Sequence, residues 1–390
     1  MNTQEGSLEE LTGVLLLWPG EPAPHSLHST RRPLVSCITA GQSAAALPSM
    51  LASLFNLCGH AHRLCSRLAI DAAAPGLLDG RTDIFAEDLR RETAAEHIRR
   101  IAMDWPALLS GGDTQNIKTS LSLHACPLLK TPAQTPVEWS AVHDWLQLHW
   151  LGIAPATWLQ QWKQHGSYWL EDWSRGGATW LSALLRESQS ADVLLPIHAV
   201  PALSIADDWN ALRELGQMLE QHGDDFIAAP QWRGRCAHTG VWSRLHDASP
   251  RPPRSTWTLL GSRIAELICL CLPTDGPHGG NWLRWGALST GHTKGLAWVE
   301  MARGLLIHQV SLHIQASDRA QVKSCQVLAP TEWNFHPEGI AARTLASLPA
   351  HMPNTAARIQ LLMAALDPCL PFRVAPTTRR AEAARQVHHA

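Results

Sequence analysis

Two short segments far apart in the chain carry residue types able to ligate a transition metal: Cys58-Gly-His60-Ala-His62-Arg-Leu-Cys65 and Asp367-Pro-Cys369-Leu-Pro-Phe372. At about 100° per residue on a helix, Cys58, His62 and Cys65 fall within about 60° of arc while His60 points elsewhere. One face would then hold two thiols and an imidazole, donors that suit iron, nickel, copper or zinc. The spacing departs from structural zinc patterns, and a plainer reading stays open in which the cysteines are small buried hydrophobes and the histidines hydrogen-bonded core residues. In the second segment a proline fixes the backbone just before Cys369, a useful way to present a ligand after a helix.

The elements that must position these segments are mostly helical. Ala/Leu-rich sequence from Gln42 to Ala74, closed by Pro75-Gly76, predicts a helix carrying the first segment. Asp83 to Trp105 predicts another, with Glu87, Arg90, Arg91, Glu96 and Arg99 read as one solvated face. Tryptophans recurring from Trp139 to Trp180 predict packed helices with an aromatic core, and Trp257 to about Cys271 a further helix. Strands are expected near Leu8 to Trp18, and then at Leu296–Val299, Gly304–Ile314 and Gln321–Leu328, the last two as an antiparallel hairpin. A final helix from Ile340 to Leu366, interrupted by proline at 349–353, leads into Asp367-Pro368-Cys369. The fold class is therefore α+β and mostly helical, a single unit over 1–390, with a possible sub-boundary at 250–254 and a flexible tail at 375–390.

Composition narrows the function classes. Charged residues make up 17% of the 390 residues, hydrophobic residues 45%, and the formal charge is −2. That balance disfavours both disorder and a nucleic-acid partner. No apolar run approaches the roughly 18 to 20 residues of a membrane span, and Glu9-Glu10 before the first apolar run is unlike a signal peptide. Nine cysteines without a C-x-x-C pair fit a reduced, cytoplasmic protein.

Taken together and in order, these segments resemble the large subunit of nickel-iron hydrogenases. Leu57-Cys58-Gly59 resembles part of that family's R-x-C-G-x-C-x-x-x-H motif, and Asp367-Pro368-Cys369-Leu370 part of D-P-C-x-x-C-x-x-H. Three stretches between them are similar too. Gly234-Arg-Cys236-Ala-His238-Thr239-Gly240-Val-Trp-Ser-Arg244 is similar to G-x-P-x-E-T-G-P-L-A-R, Val299-Glu300-Met-Ala-Arg303-Gly304 to V-E-A-P-R-G, and Val327-Leu-Ala-Pro330-Thr331-Glu-Trp333-Asn334 to V-V-P-S-T-W-N. The resemblance implies long central helices with smaller sheets and the two cysteine segments meeting in the middle.

The departures set the expected function. Ala61 and Cys65 stand where the first motif has its second cysteine and its histidine, and Phe372 and Ala375 where the second motif has its last cysteine and histidine. Each motif thus keeps the terminal nickel ligand and loses the cysteine that bridges both metals, so hydrogen turnover and stable nickel binding are not expected. The resemblance implies that Arg303 and the Pro330-Thr331 pair line a pocket for the cyanide ligands of iron, where charge-assisted hydrogen bonds are worth roughly 1.5 to 3 kcal/mol each. The pattern is similar to hydrogenase expression/formation proteins of the HupK/HoxV type. It implies a maturation scaffold, not an enzyme, that transiently holds Fe(CN)2(CO) through Cys58 and Cys369, with Cys65 or His62 auxiliary and no nickel. Implied partners are a small HypC-type carrier chaperone, a HypD-type iron-sulfur scaffold and the apo large subunit. The alternative is a metal-free interaction protein that mimics the large subunit during assembly.

Overall fold

The computed structural model describes residues 13–78, 85–110, 123–132, 135–190, 195–205, 208–245, 253–272, 283–314, 320–350 and 352–375. At its centre lies the helix Thr256–Cys271, every residue of which is buried. Ser255 starts it by accepting a hydrogen bond from the Thr258 amide, which satisfies one of the otherwise unpaired N–H groups of the first turn. Around it pack the helices Phe85–Arg99, Pro155–His165 and Thr355–Leu366. Trp150, Trp158 and Trp257 are fully buried, and Trp158 meets Trp173 edge-to-face at 5.8 Å, so the recurrent tryptophans are core residues.

Two sheets flank this helical body. The larger is an antiparallel meander of β3 (Trp285–Gly291), β4 (Lys294–Met301), β5 (Gly304–Ile314) and β6 (Ala320–Leu328). The smaller joins β1 (Leu15–Leu17) antiparallel to β2 (Leu27–Ser29) and parallel to β7 (Phe372–Val374). The helix Gly59–Ala73 packs across β3, β4 and β5. Its approach is so close that a Cβ on Gly295 would fall 2.0 Å from the Ala69 carbonyl oxygen. The helix Trp209–Ala228 contributes Leu212, Leu215 and Leu219 to a second apolar cluster with Leu296, Trp298 and Ile307 of the sheet.

Several sequence expectations change in detail. The helix expected over 42–74 is broken into Leu47–Leu54, a 3-10 turn at Asn56–Cys58 and Gly59–Ala73, and a further helix, Leu34–Thr39, precedes it. The strand β3 and the helix Trp209–Ala228 were not expected, the latter because Gly216 and Gly223 interrupt its pattern. The hairpin of β5 and β6 and the proline-interrupted final helix, here Ile340–Ala346 and Thr355–Leu366, form as expected. Most of the proposed boundary at 250–254, and all of the tail at 375–390 beyond Ala375, lie outside the described residues. Among the described residues no helix is long and apolar enough to cross a membrane.

Candidate functional site

Cys58 is held by a break in the chain, not by a helix face. The helix Leu47–Leu54 stops at Phe55, the Cys58 amide donates to the Phe55 carbonyl at 2.9 Å, and Cys58 itself caps the next helix with φ −136° and ψ 36°. Gly59 makes the tight turn possible, because a Cβ there would lie 2.7 Å from the Ala52 carbonyl oxygen. The first N–H groups of that helix, at His60 and Ala61, donate to the Glu92 carboxylate at 2.7 and 2.9 Å. Burial lifts Glu92 to about 7 despite these two bonds, which favour its ionised form.

Cys369 is held by a different device. The helix Thr355–Leu366 ends on Asp367 in the left-handed conformation, φ 51°, where aspartate is tolerated better than most side chains. Pro368 cannot continue the helix, and the Cys369 amide then reaches the Thr331 hydroxyl oxygen at 3.4 Å.

A buried ionic network ties these two turns together. Arg303, in the turn between β4 and β5, is 1% exposed, donates to Glu96 at 2.6 Å and lies 3.4 Å from Asp367. Asp367 is paired as well with Arg263 at 3.0 Å and with Arg100, which also donates to the Pro368 carbonyl at 3.1 Å. Arg100 opens a π-helical turn, Arg100–Asp104, that follows the Phe85–Arg99 helix. From Arg263 the network continues through His97 at 3.2 Å and Glu266 at 2.7 Å to Arg244, which grips Glu266 with two bonds of 2.7 Å. An arginine can only donate, so His97 accepts on Nδ1 and donates from Nε2 to Glu266, and burial keeps the ring neutral. Burial alone would neutralise Asp367 too, but Arg303, Arg263 and Arg100 hold its carboxyl far below the usual range.

The stretches singled out in the sequence meet here. Thr239 and Asn334 exchange two hydrogen bonds, at 3.0 and 2.8 Å, and the Thr239 hydroxyl accepts from the Leu305 amide at 2.9 Å. Gly304 is needed beside them, since its φ is 137° and a Cβ would press on the Thr239 side chain at 2.8 Å. A small cleft is bounded by His238, Thr239, Arg263, Arg303 and Asn334. Burial pushes the Cys58 thiol well above its ordinary range, the neighbouring Cys369 adds to the shift, and Arg303 opposes it. Cys58, Cys369 and Arg303 are thus within electrostatic reach of one another, with Thr331 on the Cys369 side. Among the described residues, Arg303 Nη1 is buried without a hydrogen-bond acceptor.

His62 and Cys65 are used elsewhere. The His62 ring stacks on Phe55 at 4.0 Å and shares a 3.1 Å hydrogen bond with His308 of β5, while the Cys65 sulfur donates to the Ala297 carbonyl of β4 at 3.4 Å. The shared helix face expected for Cys58, His62 and Cys65 does not form, because Cys58 precedes the helix and the other two side chains face the sheet. Among the described residues no three His, Cys, Asp or Glu side chains are grouped to hold a metal ion. Cys236 lies 3.2 Å from His336 Nδ1, and His238 Nδ1 donates to the Val200 carbonyl at 3.1 Å. Cys269 and Cys271 are core residues, raised to about 12 and well above the thiol range by burial.

Sequence reasoning missed most of the network. Glu96, expected on a solvated face, is 4% exposed because that face turns toward Arg303. Arg263 and Glu266 carried a readable signal: one cation and one anion, three residues apart, in an otherwise apolar helix cannot be buried without partners.

No protein-family model matches the chain. It is 36% identical over 375 residues to the hydrogenase expression/formation protein HoxV of Cupriavidus necator, the match covering 93% of this chain and 95% of that protein. The chain belongs to the HoxV/HupK family of hydrogenase expression/formation proteins. A second family member, HupK of Bradyrhizobium diazoefficiens, is 28% identical over 87% of this chain and 89% of its own. The fold is that of the nickel-iron hydrogenase large subunit. Against the Ni-Fe-Se hydrogenase from D. vulgaris Hildenborough the TM-score is 0.52 at 12% identity, over 88% of this chain and 92% of that one.

Proposed function

We propose that this maturation protein transiently holds Fe(CN)2(CO) between Cys58 and Cys369 and then passes it to the apo large subunit of a nickel-iron hydrogenase. One observation carries the reading: Arg303, buried with an unused N–H, bonds Glu96 and lies 3.4 Å from Asp367 in the Cys369 turn, while Glu92, one helical turn before Glu96, holds the amides that follow Cys58. A cyanide ligand is anionic and accepts hydrogen bonds at its nitrogen, so it matches what Arg303 Nη1 lacks, and the Thr331 hydroxyl offers a second donor beside Cys369. Low-spin ferrous iron with three diatomic ligands needs few protein donors, and two thiolates suit it. Four thiolates would be needed to hold nickel beside it, and this site supplies two, so the protein carries the iron fragment without acting as a hydrogenase.

The same electrostatics favour temporary holding. Burial keeps the Cys58 thiol protonated in the absence of cargo, so binding must release its proton and the affinity falls as pH falls. A receiving site with more thiolates then takes the cargo downhill. Work in the cytoplasm, delivery by a small HypC-type carrier and a HypD-type iron-sulfur scaffold, and release to the apo large subunit complete the proposal.

Infrared spectra of the protein purified without oxygen from cells making the maturation proteins test it. Bands of metal-bound cyanide and carbon monoxide are expected, lost in Cys58→Ser and Cys369→Ser. Full maturation of hydrogenase by both variants would refute the reading.

A further inference from the structure

His238 is a buried base with no part in the holding site described above. Its main chain is fixed on both sides: the N–H donates to the Pro201 carbonyl at 2.9 Å, and the carbonyl accepts from the Leu203 amide at 2.8 Å. The next residue, Thr239, accepts from the Leu305 amide through its hydroxyl, which brings this segment against the Arg303-Gly304 turn. A carbonyl can only accept, so His238 Nδ1 carries the proton given to Val200 at 3.1 Å. With the residue 2% exposed, burial holds the ring below the usual histidine range and therefore neutral. Nε2 is left with a lone pair, and it is buried without a donor among the described residues.

The small cleft that His238 lines is lined by Arg303 too, whose Nη1 is buried without an acceptor. An unmatched acceptor and an unmatched donor thus share one cleft. Its other polar side chains are engaged: Asn334 with both backbone groups of Thr239, the Ser262 hydroxyl with the Leu259 carbonyl, and Arg263 with His97 and Asp367. His238 Nε2 and Arg303 Nη1 do not bond each other directly, but one small molecule that accepts from the arginine and donates to the imidazole satisfies both. Water has both functions, and the cleft has room for about one. A guanidinium Nη1 carries a second N–H, which stays free for an anion. The G-x-P-x-E-T-G-P-L-A-R motif has glutamate where this chain has His238. A carboxylate there would compete with an anion for Arg303, whereas a neutral imidazole anchors the guanidinium and leaves its charge in place.

We propose that His238 is a positioning residue for Arg303: a water held between His238 Nε2 and Arg303 Nη1 fixes the guanidinium so that its remaining Nη1 N–H serves the cyanide of the bound iron fragment. The bridge needs no cargo; its use by cyanide rests on the function proposed above.

The test has a cargo-free and a cargo-bound arm, both on the full-length protein. With isotope-labelled histidine, the Nε2 resonance of His238, identified by its loss in His238→Gln, should carry the shift of an acceptor in a hydrogen bond and move toward the free-acceptor value in Arg303→Met. In protein purified with its cargo, His238→Gln, which keeps a neutral acceptor, should leave the infrared cyanide bands in place. His238→Leu should move them by several wavenumbers and the carbon monoxide band by less. His238→Glu should lower the intensity of all of them about tenfold, the loss expected for one charge-assisted bond. A free-acceptor signal for His238 in the unaltered protein, cyanide bands unmoved in His238→Leu, or equal losses of intensity in all three variants, as packing alone would give, would overturn the proposal. An unaltered protein without cyanide and carbon monoxide bands would count against the holding function, and the nitrogen resonance would still decide the bridge.

Discussion

Two places in the molecule gather thiols beside hydrogen-bonding groups, and they differ in how charge is arranged around them. At the Cys58–Cys369 site four arginines, 100, 244, 263 and 303, and four carboxylates, 96, 104, 266 and 367, form one connected network, and the Nη1 donor of Arg303 is left over. Under the sheet, His62, His308, Cys65 and Cys325 lie together without a buried ion pair among them. Burial drives His308 down to about 3 and Cys325 up to about 12, so each stays neutral, and Cys65 is satisfied by a backbone carbonyl. The lesson is that thiol and imidazole content does not make a metal site. Anionic ligands need neighbours that stabilise their charge, and neutral pairs are core packing.

The comparison breaks most sharply at the cysteines. Cys58→Ser or Cys369→Ser should bring the infrared bands to background, while Cys65→Ser leaves them within about twofold in protein that folds; the reverse pattern would exchange the roles of the two regions. Next in size, Arg303→Met takes from buried Glu96 its 2.6 Å partner, while Asp367 keeps Arg263 and Arg100, and should cost about 3 kcal/mol in denaturant unfolding. His62→Phe, which leaves His308 Nε2 without its bond, should cost about 1 to 3 kcal/mol by the same measurement.

Acid titration separates the two regions further. Burial opposes ionisation of Glu266, but Arg244 and His97 more than compensate and hold it at about 2 against an ordinary 4.5. The unfolded chain takes up that proton first, so this stabilisation is complete above pH 4.5 and is lost as pH falls toward 2. About 3 kcal/mol is at stake, and Glu266→Gln should flatten that part of the stability profile. His308, depressed from 6.5 to about 3, also loses stability on acidification, but starting from the higher value, and His308→Phe should remove that earlier fall. Overlapping profiles for the two variants would erase the distinction.

The fold class, the β5–β6 hairpin and the tryptophan core were legible because each has a local signature of period or turn. Cys58, Cys369, Arg303 and Thr331 could be named through motif resemblance, and the structure brings them together. His62 and Cys65 misled, because helical spacing is informative only once the helix start is known, and that start depends on Gly59 meeting Ala52. Glu96 and Arg100 were hidden for a related reason. A charged helix face looks solvated until a partner from the Asp367 turn, far away in sequence, covers it.

The pairing of β1 with β7 imposes an order of events. Leu15↔Phe372, Leu16↔Arg373 and Leu17↔Val374 join strands made near the beginning of synthesis to one made near residue 374, and Cys369 sits only a few positions before that seam. The antiparallel pairs join strands that are near in sequence, whereas this seam joins residues more than 350 positions apart. Under the proposed holding function, capture follows closure of this seam.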